Sequence, residues 1–177
     1  AIREYLQNDP KKPFILCEYM HDMGNSLGGM ESYIRLGEEF PMYQGGFIWD
    51  YIDQALTVKD RYGLKYQGYG GDSGDRPHDG DFSGDGIVDS LRRAPTPKMQ
   101  EVKYLYQNLQ VHIADGKAEV VNRHLFTGSG EFDCVVQLYR EGALLEERPM
   151  ETGVPPGGSR TYDLPLWPEE LDTEYAV

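Results

Sequence analysis

Glu18 closes a short apolar run, Phe14-Ile15-Leu16-Cys17, and His21 follows three residues later. The device recurs about thirty residues on, where Gly45-Gly46-Phe47-Ile48-Trp49 ends on Asp50. Charged groups just past the ends of buried strands are how (β/α) barrels display chemistry. An acid beside apolar and aromatic neighbours (Cys17, Tyr19) is a candidate nucleophile or general base. The other reading of Glu18 is a structural carboxylate that pairs an arginine in a barrel mouth. His21 either binds a hydroxyl and orients the acid, or is a satisfied turn histidine. Asp50 offers a second carboxylate, and glycoside hydrolysis with retention uses two carboxyl groups ~5 Å apart. Spacing alone does not tell whether Glu18 and Asp50 meet. Trp49 is either a platform for a sugar face or a core aromatic.

These residues need strands and a crossover to hold them. Residues 14–17 predict a buried strand, with Cys17 as a buried thiol. Asn25 or Ser26 is expected to cap a helix carrying Leu27, Met30, Ile34 and Gly37 at helical spacing, stopped by Pro41. Residues 46–49 predict a second strand, so strand, helix and strand form a parallel crossover unit. Residues 59–63 read as a polar turn, and residues 68–86 as a long loop dense in Gly and Asp. Thr96-Pro97 is a helix start, with Thr as cap and Pro at the first helical position. After about residue 110 the rhythm changes to short strands at 111–113, 118–122, 132–139, 144–148 and 159–164, with a further strand beginning at the last residues. Asp115-Gly116, Gly128, Glu141-Gly142 and Pro155-Pro156-Gly157-Gly158 punctuate them, as in a β-sandwich. The reading is therefore α/β plus all-β, with one domain over 1–108 and another over 109–177.

Composition narrows the function classes. The 177 residues carry a net charge of −13, a field that repels phosphates and so argues against nucleic-acid and anionic-membrane partners. No apolar run is long enough to span a bilayer. Two cysteines, Cys17 and Cys134, make no disulfide framework. Thirteen tyrosines and two tryptophans suit a sugar site, but they suit an ordinary core as well. Asp79-Gly80-Asp81-Phe82-Ser83-Gly84 matches the first half of a calcium-loop pattern, yet position 12 is Ser90 rather than Glu, so the match is read as false. A looser cation site using Asp85 or a backbone carbonyl stays open. The four histidines show no zinc spacing.

Longer strings carry a resemblance. Ile15-Leu16-Cys17-Glu18-Tyr19, then His21, Met23-Gly24-Asn25-Ser26-Leu27-Gly28, Gln44-Gly45-Gly46-Phe47-Ile48-Trp49-Asp50 and Asp53-Gln54 resemble the large β-galactosidases of glycoside hydrolase family 2. Tyr69-Gly70-Gly71-Asp72, Gly74-Asp75, Pro77, Phe82, Arg93, Pro95 and Pro97 continue the likeness in order, over about residues 13–108. Beyond 108 it rests mainly on the β-sandwich that follows the barrel in that family.

The resemblance implies the last two strands and helices, roughly the last quarter, of a (β/α)₈ TIM barrel, followed by an incomplete immunoglobulin-like β-sandwich. It implies retaining hydrolysis of terminal β-D-galactosides such as lactose, with Glu18 as nucleophile and the acid/base Glu outside this chain. His21 and Trp49 then match substrate-binding positions, Trp49 as the floor of the galactose subsite. Phe82, through its carbonyl, and Asp85 match a sodium site, with Asp85 also reaching the sugar. Many relatives carry Asn where this chain has Asp85, which keeps an oxygen ligand and adds a charge. Magnesium ligands would lie upstream. Asp50 does not match the family's acid, which sets aside its pairing with Glu18. The implied partners are a β-galactoside, the remainder of the barrel and sandwich domains, and a homo-oligomer of the parent, in the cytoplasm. The isolated piece is expected to be inactive and poorly folded. Two other readings are a non-catalytic carbohydrate-binding or assembly piece of a split enzyme, and a family 2 glycosidase for β-glucuronides or β-mannosides.

Overall fold

A computed structural model describes residues 1–93, 96–168 and 173–177. Pro95, one of the residues carrying the resemblance, lies outside the described residues. The chain forms two compact units, Ala1–Tyr106 and Gln107–Val177.

The first unit begins with helix α1 (Ile2–Gln7), strand β1 (Phe14–Tyr19), helix α2 (Glu31–Glu39) and strand β2 (Tyr43–Ile48). β1 and β2 pair in parallel, with Leu16 opposite Gly46 and Tyr19 opposite Ile48. A hairpin of β3 (Leu56–Lys59) and β4 (Lys65–Gly68) follows, then a single 3₁₀ turn, Gly70–Ser73. Helix α3 (Pro97–Leu105) ends the unit.

All three helices pack on one face of the parallel pair. Leu16, Tyr19 and Ile48 meet Tyr33 and Ile34 of α2 and Met99, Val102 and Leu105 of α3. Phe14 and Tyr43 meet Leu6 and Leu36. The other face is bare, with Ile15 53% and Phe47 67% exposed. Parallel strands are ordinarily covered on both faces.

Two expectations need correction. Cys17 is exposed rather than buried. Cys17 alternates with Leu16 onto the bare face that carries Ile15, and the register of β1 against β2 shifts between Leu16 and Tyr19, so that Tyr19 reaches the core and Glu18 is turned out of it. The crossover helix starts at Glu31, without a side-chain cap from Asn25 or Ser26. Gly24, Leu27 and Gly29 all have positive φ (68°, 71° and 80°), a conformation a helix does not admit, and the Ser26 hydroxyl donates instead to Asp22.

The Thr-Pro start of α3 is present. Thr96 Oγ1 accepts from the Met99 amide at 3.1 Å and donates to the Ile87 carbonyl at 2.7 Å. Thr96→Ala removes both bonds and is expected to cost about 1–2 kcal/mol. A lowered urea midpoint with unchanged slope is the measurement that checks it; an unchanged midpoint would show that the cap contributes nothing.

The second unit is built from antiparallel strands. β5 (Leu109–Ala114), β6 (Lys117–Asn122), β7 (Val135–Arg140), β8 (Ala143–Pro149), β9 (Ser159–Asp163) and β10 (Tyr175–Ala176) form two three-stranded sheets, β5-β6-β9 and β10-β7-β8. Two hairpins turn on Asp115-Gly116 and Glu141-Gly142, where all four residues have φ between 49° and 75°. That is the two-residue turn whose twist matches paired strands, and glycine takes its second place without strain. Ala118, Val120 and Asn122 alternate inward along β6. The buried Asn122 donates to the carbonyls of Thr127 and Val154 and accepts from the His124 amide, which satisfies its amide in the core.

Candidate active site

The backbone of Trp49 is held between the two ends of the segment that bears Glu18 and His21. Its amide donates to the Tyr19 carbonyl at 3.2 Å, and its carbonyl accepts from the Asp22 amide at 2.7 Å. Each partner lies one residue after a candidate, Tyr19 after Glu18 and Asp22 after His21. The end of β1, the turn beyond it and the end of β2 are therefore a single hydrogen-bonded structure.

The Gly/Asp loop returns to the same place. The segment 50–54 runs alongside 83–88: the Asp50 amide donates to the Asp85 carbonyl at 2.7 Å, the Ile87 amide to the Asp50 carbonyl at 2.9 Å, and the Gln54 amide to the Ser83 carbonyl at 2.9 Å. Asp53 Oδ1 accepts from the Gly86 amide at 2.8 Å. This ladder carries Asp85 beneath Trp49, whose indole Nε1 donates to Asp85 Oδ2 at 3.1 Å. It also carries Phe82 beside His21, with ring centroids 5.5 Å apart and planes tilted by 53°.

All five sequence candidates thus gather at the carboxyl ends of β1 and β2. Glu18, His21 and Phe82 are exposed, and Trp49 is 41% exposed, so an acid, an imidazole and an aromatic surface are open to a ligand. Asp50 stands apart in role: its carboxylate accepts from the Tyr51 amide and, at 3.4 Å, from Gln54 Nε2, as a turn aspartate does.

Asp85 is wholly buried, and its Oδ1 has no hydrogen-bond partner among the described residues. A buried carboxylate oxygen left without a donor is costly. It fits a cation that takes oxygen ligands, and the Phe82 carbonyl is close in sequence. Among the described residues no cluster of three or more His, Cys, Asp or Glu side chains is placed to hold a metal.

Two features of the site escaped the sequence. The hydroxyls of Tyr19 and Tyr106 lie 2.5 Å apart, and burial, with that contact second, pushes the Tyr19 phenol well above its ordinary pKa. It is a neutral hydrogen-bonding group at any working pH. Asp22, next to His21, is fully buried beside Lys98 of α3. Burial pushes its carboxyl up, while the Ser26 hydroxyl and the Lys98 ammonium pull it down. No local pattern flags either pair, because each joins residues 76 or more positions apart.

A sequence model of the TIM barrel domain of the glycosyl hydrolases family 2 matches residues 1–111, and one of β-galactosidase domain 4 matches residues 118–177. The chain is 55% identical to a β-galactosidase of Halalkalibacterium halodurans over 156 residues, covering 88% of this chain and 15% of that protein. It is 47% identical to a β-galactosidase of Lactobacillus delbrueckii subsp. bulgaricus over 178 residues, covering 100% of this chain and 17% of that protein. A β-galactosidase large subunit of Latilactobacillus sakei is 63% identical over 106 residues, covering 59% of this chain and 17% of that protein. The chain spans less than a fifth of the length of these relatives.

Proposed function

Because this chain belongs to the glycosyl hydrolases family 2, we propose that it is the segment of a retaining β-galactosidase that supplies the nucleophile and much of the galactose subsite. The observation that carries this reading is the gathering of Glu18, His21, Trp49, Phe82 and Asp85 at the ends of two parallel strands, through backbone bonds centred on Trp49. The relatives at 55% and 47% identity bear the name β-galactosidase.

In this mechanism a carboxylate oxygen of Glu18 bonds to the anomeric carbon as the bond to the aglycone oxygen breaks. A glutamic acid from the remainder of the protein gives that oxygen its proton. The same group, now a base, takes a proton from water, which displaces Glu18 with a second inversion, so the product keeps the β configuration. Trp49 offers its ring to the apolar face of the sugar, and His21 binds a hydroxyl. Asp85 holds the indole through Oδ2. Its free Oδ1, with the Phe82 carbonyl, would hold a sodium ion, which would supply a fixed positive charge beside the sugar. Magnesium, in this reading, is held by residues outside the chain.

The remainder of the barrel is the natural cover for Ile15 and Phe47 on the bare face of the sheet. Other parts of a larger enzyme are the partner class that the name "large subunit" suggests for the Latilactobacillus sakei relative.

The test is trapping with a 2-deoxy-2-fluoro-galactoside, followed by peptide mass spectrometry, on the longest native chain. The label is expected on Glu18, more slowly when sodium is replaced by choline. A label elsewhere removes the nucleophile assignment. No label, with galactose still bound, favours the non-catalytic binding reading. Labelling by a glucuronide or mannoside analogue instead changes the sugar.

A further inference from the structure

Lys98 is placed to tie together the two segments that flank Trp49. Its Nζ donates to the carbonyl of Asp22 and, at 3.2 Å, to the carbonyl of Gly86. It also lies 3.6 Å from Asp22 Oδ1. Asp22 follows His21, and Gly86 follows Asp85. One ammonium group therefore spans from the turn carrying the imidazole to the loop carrying the carboxylate under the indole. The Asp22 side chain is fully buried; its Oδ1 accepts from Ser26 Oγ at 2.8 Å, and its Oδ2 has no partner among the described residues.

Such a pair is a poor device for stability alone. Two charges taken out of water recover little more than their desolvation, and packed apolar side chains of the same volume do as well or better. What the pair supplies is geometry: Lys98 is anchored in the first turn of α3, and its donors fix the distance between two backbone carbonyls.

We propose that Asp22 and Lys98 form a positioning latch that holds the His21 turn and the Asp85 loop at a set separation around Trp49, and so tunes the affinity of the subsite for the sugar. Lys98 is a positioning residue, acting through the carbonyls of Asp22 and Gly86, and the Asp22 carboxylate, 3.6 Å away, keeps its ammonium aimed. The proposal rests on the galactoside reading of the site.

The experiment uses the full-length enzyme and compares Lys98→Met, Asp22→Asn and the double variant, which keep the volume of both side chains and remove the charges. Three quantities are measured: the urea midpoint, KM and kcat on a nitrophenyl β-galactoside, and inhibition by free galactose. The Lys98 variant strands the buried Asp22 carboxylate and is expected to lose both stability and affinity; the Asp22 variant leaves Lys98 its two carbonyl acceptors and is expected to lose less of each. The double variant strands none, so its midpoint should return close to that of the parent. Its KM and galactose inhibition constant should nevertheless stay raised by about 10- to 100-fold, the scale of a small misplacement of binding groups, with kcat changed far less.

A double variant with parental KM and inhibition constant overturns the latch. So does one that cannot fold, since a group that only positions is dispensable for folding once both charges are gone. Glu18→Gln run alongside separates the two failures. If it retains activity, the reading of the site has failed; if it is inactive while the double variant binds galactose normally, only the latch has.

Discussion

Glutamine in place of Glu18 will lower kcat of the full-length enzyme on a nitrophenyl β-galactoside by on the order of 10³-fold or more, with little change in the unfolding midpoint. The size follows from the proposed role: losses of roughly 10⁴ to 10⁶ are the scale for removing one member of a catalytic unit. The unchanged stability follows from the place. Glu18 is exposed at the end of β1, turned out of the core by the register shift that follows Leu16. Glutamine keeps the shape and removes only the charge and the attacking oxygen. On the proposed reading galactose binding should persist, because the backbone bonds around Trp49 and the indole-to-Asp85 bond do not involve the Glu18 side chain. Added azide should restore part of the rate of Glu18→Ala, whose shortened side chain leaves room for a small anion, and none of the rate of the isosteric glutamine variant. A variant that keeps more than about a tenth of the parental kcat would remove Glu18 from the mechanism.

The second large effect is expected far from any reacting atom. Gly86→Ala will destabilise the protein by about 3 kcal/mol or more, at or above the usual top of overpacking effects. A methyl group on Gly86 would overlap the backbone of Asp53, Val88 and Ile52, the last at 2.5 Å. None of these can move aside cheaply: the Asp53 amide donates to the Val88 carbonyl and the Val88 amide to the Tyr51 carbonyl, both at 3.0 Å. Whatever folds should also bind galactose poorly, because Gly86 is joined directly to Asp85. Gly84→Ala is the control, since a Cβ there meets nothing within 4 Å. Urea titration of both variants checks the argument, and a Gly86→Ala protein with the parental midpoint would refute it.

The sequence is most legible where the information is local. Thr96-Pro97 names a helix start through one side-chain oxygen and one fixed φ, and Asp115-Gly116 and Glu141-Gly142 name turns through the positive φ they tolerate. The apolar runs ending at Glu18 and Asp50 identify the parallel pair. Reading fails where one element answers to another. Cys17 is exposed because it shares with Ile15 the face of the sheet that this unit leaves uncovered, which no apolar run reveals. Ser26 looks like a helix cap but serves Asp22, and the positive φ at Leu27 and Gly29 delays the helix to Glu31. Within the site, the identities of Glu18, His21, Trp49, Phe82 and Asp85 are readable from their strings, whereas the indole-to-carboxylate bond and the Lys98 bridge appear only once the chain has closed on itself.

The bond from Trp49 Nε1 to Asp85 gives the molecule a built-in optical probe. The chain has two tryptophans, Trp49 in the first unit and Trp167 in the second. Replacing Trp167 with phenylalanine leaves Trp49 as the one tryptophan of this segment. Its fluorescence then depends on whether a carboxylate still accepts from the indole and whether a ring stacks on its face. Loop order around Asp85 and occupancy of the proposed subsite then both act on the Trp49 emission.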